Sequence, residues 1–253
     1  MTAALILAGN RPGGDPFAAS FGVPHKSLIE LGGKTLLSRV VEAASDAGMD
    51  RIAVSCDEGP VAAAARNLSV ETIPSTAGPS ASVAHGFDRL GAPLVVTTSD
   101  HALLRGEWIR ELVETPSGRA DLAVMLAERA AVEAALPGSK RTYLRFADGR
   151  WSGCNLFYLR TPAARRALEL WSMVEVDRKR PWRIAAKLGP GTLLAMLAGR
   201  LTMAQGIGRL GNRIGVNAEL VRASNGLCAV DIDKQSDLDT VRALLARESS
   251  GAL

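Results

Sequence analysis

Short apolar runs alternate along this chain with segments in which apolar residues recur every three or four positions. Uninterrupted apolar runs of five or six residues are typical of strands buried on both faces, and the three- or four-residue spacing is typical of helices. The predicted strands cover residues 3–8, 51–55, 70–73, 94–98, 121–127, 142–146, 155–159 and 227–232. The predicted helices cover residues 35–48, 60–66, a segment ending near 91, 162–174 and 234–247. This alternation predicts an α/β fold with three α/β/α layers and a mostly parallel central sheet.

Length and composition exclude several classes of protein. A chain of 253 residues with 47% hydrophobic and 22% charged residues is typical of a globular protein with a substantial core, and it argues against disorder. The apolar runs are shorter than the roughly 18 residues that a membrane-spanning helix needs. The N-terminal segment also lacks the basic region and cleavage site of a secretory signal. We therefore expect one cytosolic domain without a transmembrane segment.

The charge balance and the cysteines narrow the range of partners. A net charge of +4 favours anionic partners, among them phosphorylated small molecules. Aromatic residues make up only 4% of the chain, which argues against a stacking platform for nucleic acid. Cys56, Cys154 and Cys228 are far apart in sequence, so neither a disulfide framework nor a zinc knuckle is expected.

The loop after the first predicted strand is a candidate phosphate-binding loop. It contains Gly9, Gly13 and Gly14 and leads to Lys26. Glycine allows close approach of backbone N–H groups to phosphate oxygens, and a lysine adds a point charge. Taken alone, the loop is equally compatible with a plain surface connection.

Carboxylates follow two of the predicted strands. Asp100 comes shortly after strand 94–98, and Asp231 and Asp233 lie at the end of the last predicted strand. The carboxyl ends of strands in an open α/β sheet border the ligand crevice, so these groups are expected to face the loop. Two carboxylates there suit one Mg²⁺ ion that bridges to triphosphate oxygens, while Lys26 neutralises charge during displacement at phosphorus. Asp233 alone could also be a helix N-cap.

Residues 160–213 form a basic stretch in which we expect two or three short helices. Arginines and lysines far outnumber the acidic residues there, and Arg178, Lys179, Arg180 and Arg183 lie close together in sequence. One interpretation is a helical cap with a solvated basic face. The other is an anion-binding lid over a phosphorylated acceptor, with peripheral contact to an anionic membrane as a variant of it.

Four separated motifs resemble one protein family. They are LILAGNRPGG with PHKSLIELGGKTLL at the N-terminus, GPSASVAHGF, TSDHALL and AVDIDKQSDL. In this order they resemble the MobA-like NTP transferase domain, within the nucleotide-diphospho-sugar transferase (GT-A-like) fold. The resemblance covers residues 1–127 and 214–247.

The resemblance implies roles for particular residues. It makes Lys26 and Asp100 catalytic and makes Asp100 and Asp233 the metal ligands, with Asp231 as the alternative second ligand. The implied nucleotide contacts are Leu7, Ala8, Gly9, Asn10, Arg11, Gly13, Gly14, Lys26, Ser80 and Ser82. The candidate acceptor contacts, from the basic stretch and from the position after Asp100, are His101, Arg178, Lys179, Arg180 and Arg183. The chain departs from the family pattern at Arg11–Pro12, where relatives have Gly–Ser or Gly–Thr, and at Ala102, where they have proline.

The implied activity is Mg²⁺-dependent transfer of NMP from an NTP to a phosphorylated acceptor with release of pyrophosphate; GTP and CTP are the first candidates, and the identity of the NTP stays open. A phospho-alcohol, a sugar phosphate and a molybdopterin-type cofactor all stay open as acceptors, and the oligomeric state is open as well. On this interpretation the chain is a single domain with three regions. Residues 1–127 bind the nucleotide, and residues 128–226 bind the acceptor and include the insert at 160–213. Residues 227–247 form the last strand and helix. The alternatives are a glycosyltransferase with a nucleotide-sugar donor and an inactive nucleotide-binding module.

Overall fold

A computed structural model describes residues 1–10, 13–139, 141–176 and 190–249. The strands are β1 (Ala3–Leu7), β2 (Glu30–Leu31), β3 (Lys34–Thr35), β4 (Arg51–Cys56), β5 (Glu71–Pro74), β6 (Leu94–Thr98), β7 (Leu122–Glu128), β8 (Leu144–Phe146), β9 (Gly149–Leu159) and β10 (Ala218–Arg222). The α-helices are α1 (Pro16–Ala19), α2 (Leu36–Asp46), α3 (Pro60–Asn67), α4 (Pro79–Leu90), α5 (Gly106–Glu114), α6 (Arg129–Ala135), α7 (Arg165–Val176), α8 (Pro190–Leu197), α9 (Met203–Arg213) and α10 (Gln235–Ser249).

The central sheet has the strand order β10-β7-β9-β6-β1-β4-β5, and β8 pairs with the outer part of β9. Strands β6, β1, β4 and β5 are parallel to one another, and β10 is parallel to β7. Strand β9 runs antiparallel to both β6 and β7. The predicted mostly parallel sheet is therefore confirmed.

The sheet is buried on both faces, which explains its uninterrupted apolar strands. In β1, Leu5 packs on one face with Phe87 of α4, and Ile6 packs on the other face with Leu37 of α2. Leu5 and Ile6 are both 0% exposed. Because successive side chains of a strand point to opposite faces, every position of this strand needs an apolar residue.

The predicted strand at 227–232 is wrong. Residues Gly226–Ala229 form a 3-10 helix whose first turn is capped by Asn225, since its Oδ1 accepts from the Leu227 N–H at 2.9 Å. Cys228 and Ile232 are buried at 0% exposure, so the segment is apolar because it packs in the core and not because it joins the sheet. The strand nearest the C-terminus in the described chain is β10, a short edge strand that the sequence reading missed.

Other boundaries differ by smaller amounts. The predicted strand at 155–159 is the second half of a longer strand, β9, and helices α5 and α6 were not predicted. The described part of the basic stretch is helical, as expected, in α7, α8 and α9. Arg178, Lys179, Arg180 and Arg183 lie outside the described residues. None of the helices within the described ranges is both long enough and apolar enough to cross a bilayer; the cytosolic location stays a prediction.

Replacing Gly226 by alanine should destabilise the fold by about 2 to 3 kcal/mol through overpacking. A Cβ atom at this position would overlap the Ala131 carbonyl oxygen and the Val132 Cα of helix α6, and both are backbone atoms that cannot rotate away. The free energy of unfolding in urea measures the loss. Gly118→Ala is the matched control, because a Cβ there meets no atom within 4 Å, and it should change stability by less than about 0.5 kcal/mol. Equal effects of the two substitutions would contradict the assigned packing of the 3-10 helix on α6.

Candidate active site

A cleft opens where strands β1, β4 and β6 end. Leu7, Ser55 and Thr98 are register partners on these three strands and form its floor. The connection from β5 into α4 forms one wall, in which the Thr76 N–H donates to the Ser82 hydroxyl at 3.0 Å. The cleft has a volume of about 240 Å³ and is lined by Leu7, Ala8, Gly9, Asn10, His25, Lys26, Ser55, Thr76, Ala77, Gly78, Pro79, Ser82, Thr98, Ser99 and Asp100.

Lys26 lies at one side of this cleft between two carboxylates. Its Nζ is 2.8 Å from Asp233 Oδ1 and forms an ion pair with Asp100 Oδ2. Burial lowers the pKa of Lys26, but the two carboxylates outweigh that effect and raise the pKa, so Lys26 remains a cation. Lys26, Asp100 and Asp233 thus form one charged cluster, although Asp100 lies about 70 residues after Lys26 in the chain and Asp233 lies about 130 residues after Asp100.

His25 ties the Gly-rich loop to Lys26. Its Nδ1 accepts from the Ser27 N–H at 3.1 Å and thereby caps the 3-10 helix Lys26–Leu28, while Nε2 lies 3.4 Å from the Gly9 carbonyl oxygen. Burial lowers the pKa of His25, which keeps the ring neutral and able to donate to that carbonyl from Nε2. The backbone at Gly9 and the ammonium of Lys26 are therefore held relative to each other.

The donor set at this cluster fits a hard divalent cation. Asp100 Oδ1 is buried and has no hydrogen-bond partner among the described residues, while Asp233 is held close by through Lys26. No group of three or more His, Cys, Asp or Glu side chains within the described ranges could hold a metal ion by itself. Two carboxylates without a complete protein cage suit Mg²⁺, which normally completes its shell with water and phosphate oxygens. Asp100 and Asp233 would be the residues that hold it.

A family model, the MobA-like NTP transferase domain, matches residues 4–177 of this chain. The chain belongs to that family. It is therefore an enzyme of the nucleotidyltransferase class, and the cleft with its Gly-rich loop, Lys26 and Asp100 is the candidate active site of a MobA-like NTP transferase domain.

Solved structures with the same fold span nearly the whole chain. A hypothetical transferase from Thermus thermophilus is 31% identical, with a TM-score of 0.80, over 94% of this chain and 99% of that one. CMP:2-keto-3-deoxy-manno-octonic acid synthetase in complex with CTP is 18% identical, with a TM-score of 0.61, over 98% and 99% of the two chains. The 4-diphosphocytidyl-2C-methyl-D-erythritol synthase from Anaerococcus prevotii is 10% identical, with a TM-score of 0.61, over 98% and 96%. No curated protein matched the chain.

The other predicted nucleotide contacts lie at different places in this MobA-like domain. Asn10 lines the cleft and donates from Nδ2 to Asp57 Oδ2 at 3.2 Å. Gly13 and Gly14 are exposed farther along the loop, with φ angles of +92° and +81° that favour glycine. Arg11 lies outside the described residues.

Ser80 and Ser82 are on the same helix but have different surroundings. Ser82 lines the cleft, whereas the Ser80 hydroxyl donates to Glu175 Oε2 at 2.5 Å and its N–H donates to the same oxygen at 3.2 Å. Ser80 borders a larger opening of about 680 Å³ between α4 and α7, away from Lys26 and Asp100. Only Ser82 of this pair lies in the cleft with the charged cluster.

Asp231 and Asp233 face different partners. Asp231 forms an ion pair with Arg141, and its Oδ2 accepts from Asn155 Nδ2 at 3.0 Å. Asp233 instead joins Lys26 and Asp100. The geometry therefore favours Asp233 over Asp231 as the second cation ligand.

His101 is buried, so the expectation that it contacts an acceptor needs correction. The residue is 1% exposed, and its ring stacks on Trp108 with centroids 6.3 Å apart. Burial lowers the pKa of His101 to about 4, so the ring is neutral near pH 7. The reason is its place in the turn between β6 and α5, where the side chain points into the core.

The buried His101 should make stability depend on pH. Its pKa is about 4 in the folded protein and 6.5 when unperturbed, so the unfolded chain binds the proton first as the pH falls. The contribution of His101 to the free energy of unfolding is fully present above pH 6.5 and is lost as the pH falls towards 4. At pH 4.5 the loss is about 2 to 3 kcal/mol. The free energy of unfolding can be measured in urea, with EDTA present, at pH 7.5 and at pH 4.5. Between these two pH values it should fall by about 2 to 3 kcal/mol more in the wild type than in His101→Gln. Equal losses would show that His101 does not titrate in this way.

Ser55 and Thr98 were not among the site residues predicted from the sequence. Both residues line the cleft, their hydroxyls are buried, and neither hydroxyl has a hydrogen-bond partner in the part of the chain that the structure describes. A signal was available, because each residue stands at or next to the end of a predicted parallel strand.

Proposed function

We propose that this protein transfers an NMP group from an NTP to a phosphorylated small-molecule acceptor in a Mg²⁺-dependent reaction that releases pyrophosphate. The observation that supports it is the Lys26 ammonium between Asp100 and Asp233 at the edge of a cleft that the Gly-rich loop and α4 enclose. GTP and CTP are the first nucleotides to test. The synthetase of similar fold was solved with CTP, and a second protein of this fold is a diphosphocytidyl synthase.

The chain's own residues suit displacement at phosphorus. The nucleotide would lie on the floor of Leu7, Ser55 and Thr98, with its phosphates towards the loop and Lys26. Bound Mg²⁺ would neutralise negative charge on the triphosphate. Lys26 would leave its carboxylate partners to contact the α-phosphate and the leaving pyrophosphate, where charge develops.

No protein nucleophile is needed for this transfer. An oxygen of the acceptor phosphate forms the new bond to the α-phosphorus, and the bond from that phosphorus to the pyrophosphate oxygen breaks. The protein's task is to align the two substrates and to exclude water. Arg178, Lys179, Arg180 and Arg183 stay candidates for acceptor contacts.

The two unpartnered hydroxyls on the floor should contribute to nucleotide affinity. Ser55→Ala and Thr98→Val should each raise the NTP Kd about tenfold, because a hydrogen bond to the ligand is worth roughly 1.5 kcal/mol. Stability should change little, since neither hydroxyl has a partner in the described protein. Isothermal titration with CTP and GTP measures the effect.

Thr97→Val is the matched control for this experiment. The Thr97 hydroxyl is also buried and unpartnered among the described residues, but Thr97 is outside the set of residues that line the cleft. It precedes Thr98 on β6 and so points to the opposite face of the sheet. An equal loss of affinity in Thr97→Val would contradict the assignment of the floor.

Pyrophosphate release tests the proposed reaction. The protein is incubated with each NTP, Mg²⁺ and a panel of sugar phosphates, phospho-alcohols and molybdopterin-type acceptors. Release that requires both an NTP and an acceptor supports the proposal. NTP binding without release for any acceptor would instead support an inactive nucleotide-binding module.

A further inference from the structure

Asp231 belongs to a segment that is not part of the central sheet. The segment follows the 3-10 helix Gly226–Ala229, and the Ile232 N–H donates to the Asp100 carbonyl oxygen at 3.1 Å. Ile232 itself is 0% exposed. This backbone bond and the buried side chain of Ile232 bring the segment next to Asp100.

Two side chains from distant parts of the chain hold Asp231. Arg141 pairs with Oδ1, and Asn155 Nδ2 donates to Oδ2 at 3.0 Å. The Arg141 and Asp231 side chains are only 16% and 21% exposed, so solvent screens this pair weakly. Both carboxylate oxygens of Asp231 are therefore engaged by protein donors.

Strand β9 is irregular at the position of Asn155. Register partners shift between Met125 and Leu126, so that Cys154 and Asn155 are additional residues in β9. Asn155 has a φ of +50°, the left-handed conformation that asparagine tolerates better than most residues. A bulge redirects a side chain out of the regular alternation, and here it directs Asn155 to Asp231.

The position of Asp233 depends on this arrangement. Its side chain is 55% exposed, so its own burial does little to fix its position at Lys26. Its N–H donates to Asp237 Oδ2 at 3.2 Å, which ties it to the first turn of α10. The anchored Asp231 fixes the chain on the other side, two residues earlier.

We propose that Arg141, Asn155 and Asp231 are positioning residues that hold the 231–233 segment so that Asp233 stays beside Lys26 and Asp100. Asp231 is then not a ligand of the cation, since Arg141 and Asn155 already engage both of its carboxylate oxygens, whereas Asp100 Oδ1 has no partner among the described residues. This inference rests on the proposed function, because it assigns the role of these residues in the same reaction.

The first test is kinetic. Arg141→Ala and Asp231→Ala should each lower kcat about a hundredfold, the loss expected from a small misplacement of a catalytic group. The NTP KM should stay within about threefold. The double variant should be no slower than the slower single variant, because the two residues act as one unit. Arg145→Ala, an exposed arginine on β8, is the matched control and should keep wild-type activity.

An exchange of side chains guards against variants that fail to fold. In Asn155→Asp with Asp231→Asn, one carboxylate and one carboxamide still face each other beside Arg141. Asp also tolerates the left-handed conformation at position 155. This exchanged variant should regain activity to within about tenfold of the wild type. A folded exchanged variant that is as slow as Asp231→Ala, or losses that multiply in the double variant, would overturn the positioning role.

The second test needs no turnover and uses Mn²⁺ as the probe, followed by its electron paramagnetic resonance signal. Asp231→Asn keeps an oxygen that can accept from Arg141 and so should keep the segment in place, so it should bind Mn²⁺ within about threefold of the wild type, whereas Asp233→Asn should bind about tenfold or more weakly. Equal weakening in both variants would show that Asp231 is a cation ligand and overturn the inference. A wild type that binds Mn²⁺ in this way yet releases no pyrophosphate would contradict the proposed function alone.

Discussion

Asp100→Ala should lower kcat about a thousandfold or more. The two carboxylate oxygens of Asp100 have different surroundings: one pairs with Lys26, and the other is buried without a partner among the described residues. The substitution removes a ligand of the cation and also a carboxylate that positions Lys26. Losses of kcat of this size are typical when a preorganised group that stabilises charge in the transition state is removed.

Steady-state pyrophosphate release at saturating NTP and acceptor measures the loss. Asp88→Ala is the control, because Asp88 pairs with Arg165 at the start of α7, away from the cleft, and is 58% exposed. It should keep wild-type activity. Thermal unfolding of both variants separates loss of the site from loss of the fold. An Asp100→Ala protein that is folded and retains more than about a tenth of the wild-type kcat would show that the metal assignment is wrong.

Lys26→Met should lower kcat by about two to three orders of magnitude. Methionine replaces the apolar stem of Lys26 and removes the ammonium that lies between Asp100 and Asp233. Lys26→Arg should recover only part of the loss, because a planar guanidinium cannot replace a compact ammonium between two carboxylates.

The same variant gives a second readout without turnover. With the ammonium gone, the two carboxylates repel each other and attract a cation more strongly, so Mn²⁺ should bind more tightly in the absence of nucleotide. Lys34→Met is the matched control, since Lys34 forms a surface ion pair with Glu42 and is 51% exposed. A Lys26→Met enzyme with wild-type kcat would remove Lys26 from the mechanism.

The sheet could be predicted from sequence wherever burial alone decides structure. Residues 94–98 form a strand at the predicted bounds because this strand lies between two others, and both of its faces are covered. The error at 227–232 has the same origin, since an apolar run reports burial and not hydrogen bonding. β10 escaped detection because its position at the sheet edge allows a mixed pattern, AELVR.

The candidate site shows the same division between what sequence reveals and what it does not. Lys26 could be named from the Gly-rich loop and Asp100 from the strand that precedes it, whereas Asp233 was named from an apolar run that is buried but is not a strand. The environments of Asp231 and Ser80 depend on Arg141 and Glu175, which are about 90 residues away in the chain, and no local pattern reveals such contacts. His101 was predicted to contact the acceptor because it follows Asp100 in the sequence. Its ring is instead buried and stacks on Trp108, and this packing could not be predicted from the position next to Asp100.

The fate of labelled phosphorus tests the central claim most directly. The protein is given CTP or GTP labelled with ³²P at the α- or the γ-position, together with Mg²⁺ and the acceptor that supports pyrophosphate release, and the products are separated. Nucleotidyl transfer predicts that the α-label enters the acceptor and the γ-label leaves in pyrophosphate. An acceptor that gains the γ-label, or that gains no label while the nucleotide is consumed, would contradict it.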